Sequence, residues 1–335
     1  MKIALDAMGG DFAPQELVRG AIEAVKSLGV EVVLTGDKER LEYELEKSGA
    51  PSQGLEIAHA SQVVPMDEHH PAESLRHYRD SSVMVASDLV ARNGASAMVS
   101  AGNTGAAFAS ALLRIKRIPG IERPAIGTVF PTVDGCCFLI DAGANVDCRP
   151  HHLVSFAIMG SIYMNKVMGI DHPRVAILNN GEEEGKGNQL TREARELIAA
   201  TSLNFIGNIE GKDIPHGGAD VIVTDGFTGN IVLKLAEGLG TAIVAMIKDG
   251  IETTGLRGKA GGLLLLPVLK GIKRKMDYSE YGGAVLLGLN NVVVIAHGRS
   301  NARAIKNSIR VARDSVEAQI IEKIRDGLSE IKEAE

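Results

Sequence analysis

The sequence predicts an α/β protein with a mostly parallel sheet covered by helices on both faces. Short apolar stretches alternate with longer amphipathic ones, and the apolar stretches are continuous, as in strands that are buried on both faces. The 38 glycines among 335 residues fit the many tight turns that this alternation needs. We expect a single α/β domain over residues 1–335, with a two-lobed arrangement as the alternative.

The first third of the chain repeats a plan of strand, polar loop and helix. Residues 2–25 read KIALDAMGGDFAPQELVRGAIEAV, with Pro14 at a position that a first helical turn tolerates. Residues 31–49 repeat the plan and end at Gly49, a residue typical of helix C-termini. A short strand at 55–58 precedes a predicted helix over 72–92.

The rest of the chain continues the series and ends with a different feature. GGAVLLGLNNVVVIAHG predicts an antiparallel pair of strands near the end of the chain. In order, the other predicted segments are MVSAGNTGAAFASALL, GTVFPT, CCFLIDAGANVD, a helix over 151–168, RVAILNNGEEEGKGN, a helix ending near 200, ADVIVTDGFTGNIVLKLAEG, and NVVVIAHGRSNARAIKNSIRVA followed by a last helix ending near 331.

A seven-residue pattern, V-[ST]-x-G-x-T-G, occurs twice. Residues 99–105 read VSAGNTG and residues 223–229 read VTDGFTG, each after an apolar strand and before a helix. Glycine-rich turns at helix N-termini present free N–H groups to an anion, and ligands of parallel sheets bind beyond the carboxyl ends of the strands. We therefore expect two similar units that face one anionic ligand. Neither copy matches a Walker loop or a dinucleotide-binding pattern, so the motifs give little support for ATP or NAD binding.

Three charged groups outside the repeated pattern are further candidates. Lys186 lies in a glycine-flanked loop, where it holds a phosphate, polarises a thioester carbonyl or is a solvated surface lysine. His297 follows the run VVVIA and is either a proton shuttle or a structural histidine. Arg76 and Arg79 either clamp an anion or form surface ion pairs. For the Asp, Asn, Ser and Thr residues at the strand ends, helix capping is the alternative.

Composition excludes several classes of protein. A net charge of −6, the lack of Trp and an aromatic content of 4% argue against nucleic-acid binding. The three cysteines, Cys136, Cys137 and Cys148, show no disulfide framework and indicate reduced thiols. We find no Cys/His spacing typical of zinc, no signal peptide, and no continuous apolar run of the roughly 18–20 residues that span a bilayer.

The segment from Leu256 to Met276, LRGKAGGLLLLPVLKGIKRKM, has six basic residues and no acidic one. Four consecutive leucines, including Leu264 and Leu265, precede Pro267. The segment either lies in a membrane interface, attracts an acidic partner protein or forms a helical hairpin at a dimer interface. The basic residues that favour the first two roles include Lys273, Arg274 and Lys275.

The chain resembles the bacterial phosphate acyltransferase family over nearly its whole length. The resemblance rests on LDAMGGDFAP, SAGNTGA, DAGANVDC, FAIMGSIYMNKV, GEEEGKGN, NFIGNIEGKDI, TDGFTGNIVLK, YGGAVLLG and AHGRSNARAIKNSI, in that order. It implies a Rossmann-like αβα sandwich similar to phosphotransacetylase and the isopropylmalate dehydrogenases.

The resemblance also implies an activity. An acyl chain passes from an acyl carrier protein thioester to inorganic phosphate, and the acyl phosphate feeds a membrane acylphosphate:glycerol-3-phosphate acyltransferase of phospholipid synthesis. It further implies a cytoplasmic homodimer that associates peripherally with the membrane and uses no cofactor. Two alternatives remain: a phosphotransacetylase-like enzyme that uses a short acyl-CoA, and a non-catalytic membrane scaffold for lipid enzymes. A metal- and NAD-dependent decarboxylating dehydrogenase would need a carboxylate cluster that the spacing of the aspartates does not predict.

The expected mechanism is direct transfer without an acyl-enzyme. The first turn binds phosphate and Lys186 neutralises it, the second turn faces it across a cleft, and His297 or Ser300 lies at the thioester end. A general base is not assigned. The expected catalytic residues are Lys186, Asp225, His297 and Ser300, and the expected binding residues are Arg76, Gly102, Asn103, Thr104, Asn145, Gly229 and Asn230.

Overall fold

A computed structural model describes residues 1–49, 53–276 and 278–334; the side chains at 256, 259, 266, 270, 272–279 and 330–335 lie outside the described set. The elements of the first part are β1 (Lys2–Asp6), α1 (Gln15–Leu28), β2 (Glu31–Gly36), α2 (Lys38–Ser48), β3 (Leu55–His59), α3 (Pro71–Ser74), α4 (Ser82–Ala91), β4 (Ala97–Ser100) and α5 (Thr104–Arg114).

The remaining elements continue the alternation up to a pair of long helices. They are β5 (Ala125–Pro131), β6 (Cys136–Ile140), α6 (Pro150–Lys166), β7 (Val175–Asn179), α7 (Gln189–Ala199), β8 (Phe205–Glu210), β9 (Val221–Val223), α8 (Gly226–Thr253), α9 (Gly255–Met276), α10 (Tyr278–Tyr281), β10 (Ala284–Leu287), β11 (Val292–Ile295), α11 (Ala302–Glu317) and α12 (Ile320–Ala334).

The strands form one sheet in the order β3-β2-β1-β4-β11-β10-β5-β6-β9-β7-β8. Both ends of the sheet are parallel, but β10 is antiparallel to β11 and to β5, and β5 is antiparallel to β6. These three reversals mean that the parallel strands β6, β9, β7 and β8 run opposite to β1, β2, β3, β4 and β11. The expected mostly parallel sheet and the expected antiparallel pair are confirmed.

Helices cover both faces of this sheet because its central strands are apolar on both sides. Ile3 and Leu5 of β1 pack in one buried cluster with helices α1, α6 and α11, whereas Ala4 packs in another with α4 and α5. Successive residues of a strand point to opposite faces, so a wholly buried strand needs a layer on each. The predicted αβα sandwich follows from this pattern.

Two predicted helices differ from the structure. The helix expected over 72–92 is two helices, α3 and α4, because the chain turns at Asp80. The Asp80 carboxylate accepts hydrogen bonds from the backbone N–H and the hydroxyl of Ser61, which fixes the turn on a neighbouring loop. The second difference is in α8, which has 28 residues and continues beyond residue 238, where the predicted segment ends.

By length and composition, α8 is the one helix among the described residues that is apolar enough to cross a membrane, with a window of mean hydropathy 1.6. Charged residues such as Lys234 and Glu237 interrupt its apolar sequence, so a search for continuous apolar runs missed it. Its first turn is tied to the sheet, since Gly226 and Gly229 are buried.

Candidate functional site

The carboxyl ends of β1, β4 and β11 bring three loops together, which we call the β4 loop cluster (residues 9–11, 101–104 and 297–300). Asp11 N–H donates to Gly298 O at 2.8 Å, and Ala296 N–H donates to Ser100 O at 2.8 Å. The backbones of Gly9 and Gly102 approach so closely that a Cβ on Gly9 would lie 2.7 Å from the Gly102 Cα. Gly9 is therefore required by backbone packing, whereas a Cβ on Gly102, the first glycine of the repeated pattern, would lie 3.1 Å from Asp6 Oδ2 and 3.3 Å from the Gly9 Cα.

A buried aspartate, Asp6, lies beneath this cluster and is only 2% exposed. Its Oδ2 accepts a hydrogen bond from Ser100 Oγ at 2.7 Å, while Ser100 Oγ accepts one from Gly102 N–H at 3.1 Å. Its Oδ1 has no hydrogen-bond partner within the described chain. Burial raises the pKa of Asp6, and the hydroxyls of Ser82 and Ser100 oppose that rise. The sequence analysis did not select Asp6 as a site residue.

The carboxyl ends of β6, β9 and β7 form a second group of loops, the β9 loop cluster (residues 141–145, 179–187 and 224–230). Gly226 N–H donates to Asn145 O at 2.7 Å, and Asp141 N–H donates to Thr224 O at 3.0 Å. A Cβ on Gly229 would lie 1.9 Å from Asp141 O, so this position also requires glycine. The two glycines of the second copy thus pack over the end of β6.

Asp141 occupies the place in the β9 loop cluster that Asp6 occupies in the other, but both of its oxygens are fully used. Oδ1 accepts from the N–H groups of Ile126, Gly143 and Ala144 at 2.9–3.1 Å. Oδ2 accepts from the backbone N–H and the side-chain amide of Asn145 at 2.7 and 2.8 Å. Burial raises the pKa of Asp141, and these donors oppose the rise.

The two copies of the pattern cap their helices at different positions. In the first copy Asn103 is the N-cap of α5, and its Oδ1 accepts from Ala106 N–H at 3.0 Å. In the second copy the cap is Asp225, two pattern positions earlier, and its Oδ1 accepts from Thr228 N–H at 2.8 Å. Capping, the alternative left open for these residues, accounts for both side chains.

Other polar atoms of these candidates are also engaged. Asn103 Nδ2 donates to the carbonyls of Met66 and Glu68, and Asp225 Oδ2 accepts from Thr228 Oγ1. Asn145 is buried and donates through Nδ2 to Pro124 O at 2.8 Å. An anion at the start of α5 would therefore be bound by backbone N–H groups and the exposed Thr104 hydroxyl rather than by the side-chain amide of Asn103.

Of the remaining candidates, Ser300 and His297 lie in the β4 loop cluster, Lys186 lies in the β9 loop cluster and Arg76 lies in neither. Ser300 is buried and His297 exposed in the β4 loop cluster, where His297 Nδ1 accepts from Arg299 N–H at 3.1 Å. Lys186 is exposed in the β9 loop cluster, and its side chain lies against Gly181, where a Cβ would be 2.8 Å from Lys186 Cγ. Arg76 is exposed just after α3, a helix that packs against α5.

The clusters lie far apart along the sheet, because β11, β10, β5 and β6 separate β4 from β9. At about 4.8 Å per step, five steps amount to roughly 24 Å in a flat sheet. Because β4 and β9 also run in opposite directions, their carboxyl ends lie at opposite edges of the sheet. They are nevertheless linked on one face, since Phe108 and Leu112 of α5 pack in the same apolar cluster as Ala144 and Leu233. If both copies of the repeated pattern bind one ligand, α5 borders the cleft between them. That the two copies share a ligand remains a prediction.

The thiol next to the β9 loop cluster is poorly suited to act as a nucleophile. Cys148 Sγ lies 3.6 Å from Asn145 O, and burial raises the pKa of Cys148 to about 12, with the carboxylates of Asp141 and Asp225 adding to the rise. A thiol with this pKa is neutral at pH 7, whereas the thiolate is the reactive form.

Glu122, His151 and His152 form a group with metal-ligand chemistry that the sequence spacing did not reveal. Their potential ligand atoms all lie within 4.8 Å of one another. His152 Nδ1 accepts from Arg149 N–H at 3.0 Å, so in the neutral ring Nε2 carries the proton and donates to Glu122 Oε2 at 3.1 Å. The group is thus satisfied by hydrogen bonds, which hold the pKa of Glu122 down at about 2.

The basic, leucine-rich segment forms α9, which packs against α8. Leu264 and Leu265 are 82% and 51% exposed. The side chains of Lys273, Arg274 and Lys275, for which we expect a membrane or partner role, lie outside the described set. On α8, a series of apolar side chains spaced four residues apart is also exposed: Phe227, Ile231, Leu235, Leu239 and Ile243.

Comparison with solved structures supports the fold. A phosphotransacetylase from Streptococcus pyogenes matches with a TM-score of 0.66 and 21% identity, over 96% of this chain and 94% of that one. The EutD phosphotransacetylase from Staphylococcus aureus matches with a TM-score of 0.63 and 19% identity, again over 96% and 94%. At these identities the likeness concerns the fold alone, and it confirms the Rossmann-like prediction.

Comparison of sequences identifies the family. The model of the family described as "Fatty acid synthesis protein" matches residues 1–323. The phosphate acyltransferase of Pelotomaculum thermopropionicum is 50% identical over 332 residues, which cover 99% of this chain and 96% of that protein. That of Moorella thermoacetica is 51% identical over 326 residues, which cover 97% and 95%. The chain therefore belongs to the fatty acid synthesis protein family, among the relatives named phosphate acyltransferase, and is an acyltransferase.

Proposed function

We propose that the chain transfers a long-chain acyl group from an acyl carrier protein thioester to inorganic phosphate and releases acyl phosphate for phospholipid synthesis. The observation that carries the proposal is the 50% identity to phosphate acyltransferases over almost the entire chain. The glycine-rich β4 loop cluster supports it, because the start of α5 presents backbone N–H groups where a phosphate ion would bind.

The proposed roles follow from where the candidates lie. Phosphate binds at Gly102, Asn103 and Thr104, and His297 and Ser300 lie beside it on the thioester side. The role proposed for Lys186, to neutralise the phosphate, requires the β9 loop cluster to approach this ligand, because five strand steps separate β4 from β9 in the sheet. Holding two substrates together in this way removes much of the entropic barrier to their reaction.

A second part of the proposal concerns assembly. We propose that the exposed series on α8, including Leu235 and Leu239, packs against a second copy of the chain in a homodimer. Exposed apolar series of this length are typical of protein interfaces. Leu264 and Leu265 on α9 are proposed to lie in a membrane surface, next to the basic residues that favour anionic headgroups and the acidic carrier. The protein is then cytoplasmic and peripherally attached to the membrane.

The test of the activity is direct. Purified protein is incubated with phosphate and with either a long-chain acyl carrier protein thioester or acetyl-CoA, and acyl phosphate is trapped as the hydroxamate. We expect product from the carrier thioester. Product from acetyl-CoA alone would instead favour a short-chain phosphotransacetylase, the activity named for the structural neighbours. Absence of product from both donors would contradict the proposed function.

The test of assembly uses paired variants. Leu235→Lys with Leu239→Lys is expected to convert a dimer to a monomer in sedimentation velocity, whereas Leu264→Ser with Leu265→Ser is expected to leave the dimer intact and to reduce binding to vesicles that contain anionic lipid. Unchanged sedimentation by the first pair contradicts the dimer, and unchanged vesicle binding by the second contradicts the membrane role.

A further inference from the structure

Asp6 lines a small pocket beside the start of α5. Only about 10 Å³ of it is open to the centre of a water-sized group, so it suits a single small group such as a carbonyl oxygen rather than an acyl chain. Its lining comprises Asp6, Gly9, Val63, Val64, Ser82, Val83, Gly102, Asn103 and Ala106. The lining therefore contains four apolar side chains, one carboxyl group and no cation.

The hydrogen bonds fix which oxygen of Asp6 is available. Ser100 Oγ accepts from Gly102 N–H, so its own proton is free to be donated to Asp6 Oδ2. Oδ2 is thereby an acceptor, and in a neutral carboxyl group the proton resides on Oδ1. Oδ1 is the atom without a partner in the described chain. A buried polar atom without a partner is rare and indicates a ligand or a functional role.

We propose that Asp6 is a catalytic residue whose neutral carboxyl group donates a hydrogen bond from Oδ1 to the thioester carbonyl oxygen as that oxygen becomes anionic. The inference rests on the proposed acyl transfer and assigns a specific group to its oxyanion. A carbonyl suits the interior of the pocket, beside Asp6, better than phosphate does, because a thioester is uncharged before attack, whereas a dianion among apolar side chains without a cation is strongly disfavoured. The phosphate stays at the mouth of the pocket, at the start of α5.

The step balances without an added reactant. An oxygen of hydrogen phosphate forms a bond to the carbonyl carbon, and the π electrons move to the carbonyl oxygen, which accepts the hydrogen bond from Asp6. When the carbonyl re-forms, the C–S bond breaks, and the proton of hydrogen phosphate ends on the released thiolate. Asp6 keeps its own proton throughout, so it acts as a preorganised donor.

Burial favours the neutral form of Asp6. Burial raises the pKa of Asp6, and the groups that oppose the rise are uncharged: the hydroxyls of Ser82 from α4 and Ser100 from β4, and the N–H groups of Met8 and Gly9. In the adjoining loops Asp11 and Arg299 are exposed and paired with each other at 3.8 Å, and His297 is exposed and accepts from Arg299 N–H through Nδ1. Because the protonated form is the active one, kcat is expected to fall as the pH rises through the raised pKa of Asp6.

The experiment compares Asp6→Asn with Asp6→Ala, using Ser87→Ala as a control for a buried hydrogen bond outside the pocket lining. An asparagine keeps a donor at the Oδ1 position. Asp6→Asn is expected to retain kcat within about tenfold and to lose the alkaline fall in activity. Asp6→Ala is expected to lose about 100- to 1,000-fold in kcat with little change in the phosphate KM. Ser87→Ala is expected to match the wild type.

Three results would overturn the inference. Equal inactivity of Asp6→Asn and Asp6→Ala would mean that the Asp6 carboxylate accepts a proton. A near-wild-type kcat in Asp6→Ala would mean that Asp6 takes no part in the reaction. A rise in the phosphate KM of Asp6→Ala, with kcat unchanged, would mean that Asp6 donates to phosphate instead.

An NMR measurement that does not depend on enzyme turnover tests this inference separately from the proposed function. The carboxyl 13C signal of Asp6, assigned by its loss in Asp6→Asn, is expected to report a protonated acid at pH 7 and to shift when a ketone analogue of the acyl thioester is added. An ionised Asp6, or a signal unmoved by the ketone, overturns the inference even in an active enzyme. An inactive wild type with both expected signals would instead reject only the proposed function.

Discussion

The two loop clusters have the same sequence plan but differ in how they use it. Each consists of a strand that ends in a buried aspartate and a neighbouring strand that ends in V-[ST]-x-G-x-T-G, whose first glycine lies over that aspartate. Asp141 accepts five hydrogen bonds, whereas Asp6 has one oxygen without a partner. A repeated sequence pattern thus accompanies one buried aspartate whose two oxygens are both hydrogen-bonded and another that has an oxygen available to a ligand.

The largest expected effect is on stability and separates the two aspartates. Asp141→Asn replaces one accepting oxygen with an NH2 group and leaves at least two buried donors facing another donor. We expect a loss of about 3 kcal/mol or more in the free energy of unfolding, whereas Asp6→Asn should lose about 1 kcal/mol or less. Urea unfolding followed by circular dichroism measures both. Equal losses would mean that the two sites do not differ as the hydrogen bonds indicate.

The second prediction compares the last glycines of the two copies. In Gly229→Ala the new Cβ would meet a backbone oxygen at 1.9 Å, whereas in Gly105→Ala it would meet the Pro71 side chain at 2.5 Å. We expect Gly229→Ala to lose about 3 kcal/mol or to prevent folding, and Gly105→Ala to lose clearly less, because a side chain yields more readily than backbone.

Gly238→Ala on α8 is the matched control for this pair, since nothing lies within 4 Å of its Cβ position and alanine favours helix by about 1 kcal/mol. Thermal unfolding temperatures rank the three variants. A Gly229→Ala protein as stable as the control would contradict the close backbone contact.

A smaller effect is expected on phosphate binding. Lys186→Ala removes a cation from the β9 loop cluster, and we expect the phosphate KM to rise about tenfold with a fall in kcat, since charge-assisted contacts to phosphate are the strong ones. Lys212→Ala is the control, because Lys212 is paired with Glu210 instead. Wild-type kinetics in Lys186→Ala would mean that the β9 loop cluster does not contact phosphate and that the two turns do not share a ligand.

The smallest expected effect is that of Cys148→Ala. A thiol whose pKa is about 12 is not ionised at neutral pH. We therefore expect kcat and the phosphate KM within about twofold of the wild type, and no acyl-enzyme in mass spectra of the intact protein under turnover. A covalent acyl adduct that disappears in Cys148→Ala would replace direct transfer with a two-step mechanism.

The sequence predicted the individual strand, loop and helix units well but not the boundaries that depend on distant contacts. The alternation of apolar runs identified the sheet because burial on both faces imposes it locally. It failed at 72–92, where the turn at Asp80 is stabilised by Ser61, a residue of another loop. It also did not give the length of α8, because charged residues such as Lys234 and Glu237 interrupt the apolar sequence of that helix.

The sequence by itself determined the fold class, the family and the two glycine-rich turns, because these depend on patterns within short segments. Only the tertiary structure determined that three strand reversals separate those turns along the sheet, that Asn103 and Asp225 are helix caps, and that Asp6 rather than Asp141 has an unpartnered oxygen. The physical reason is that hydrogen-bond satisfaction belongs to a three-dimensional environment. Two aspartates in similar local sequences differ once other strands and helices supply donors to one and leave the other incomplete.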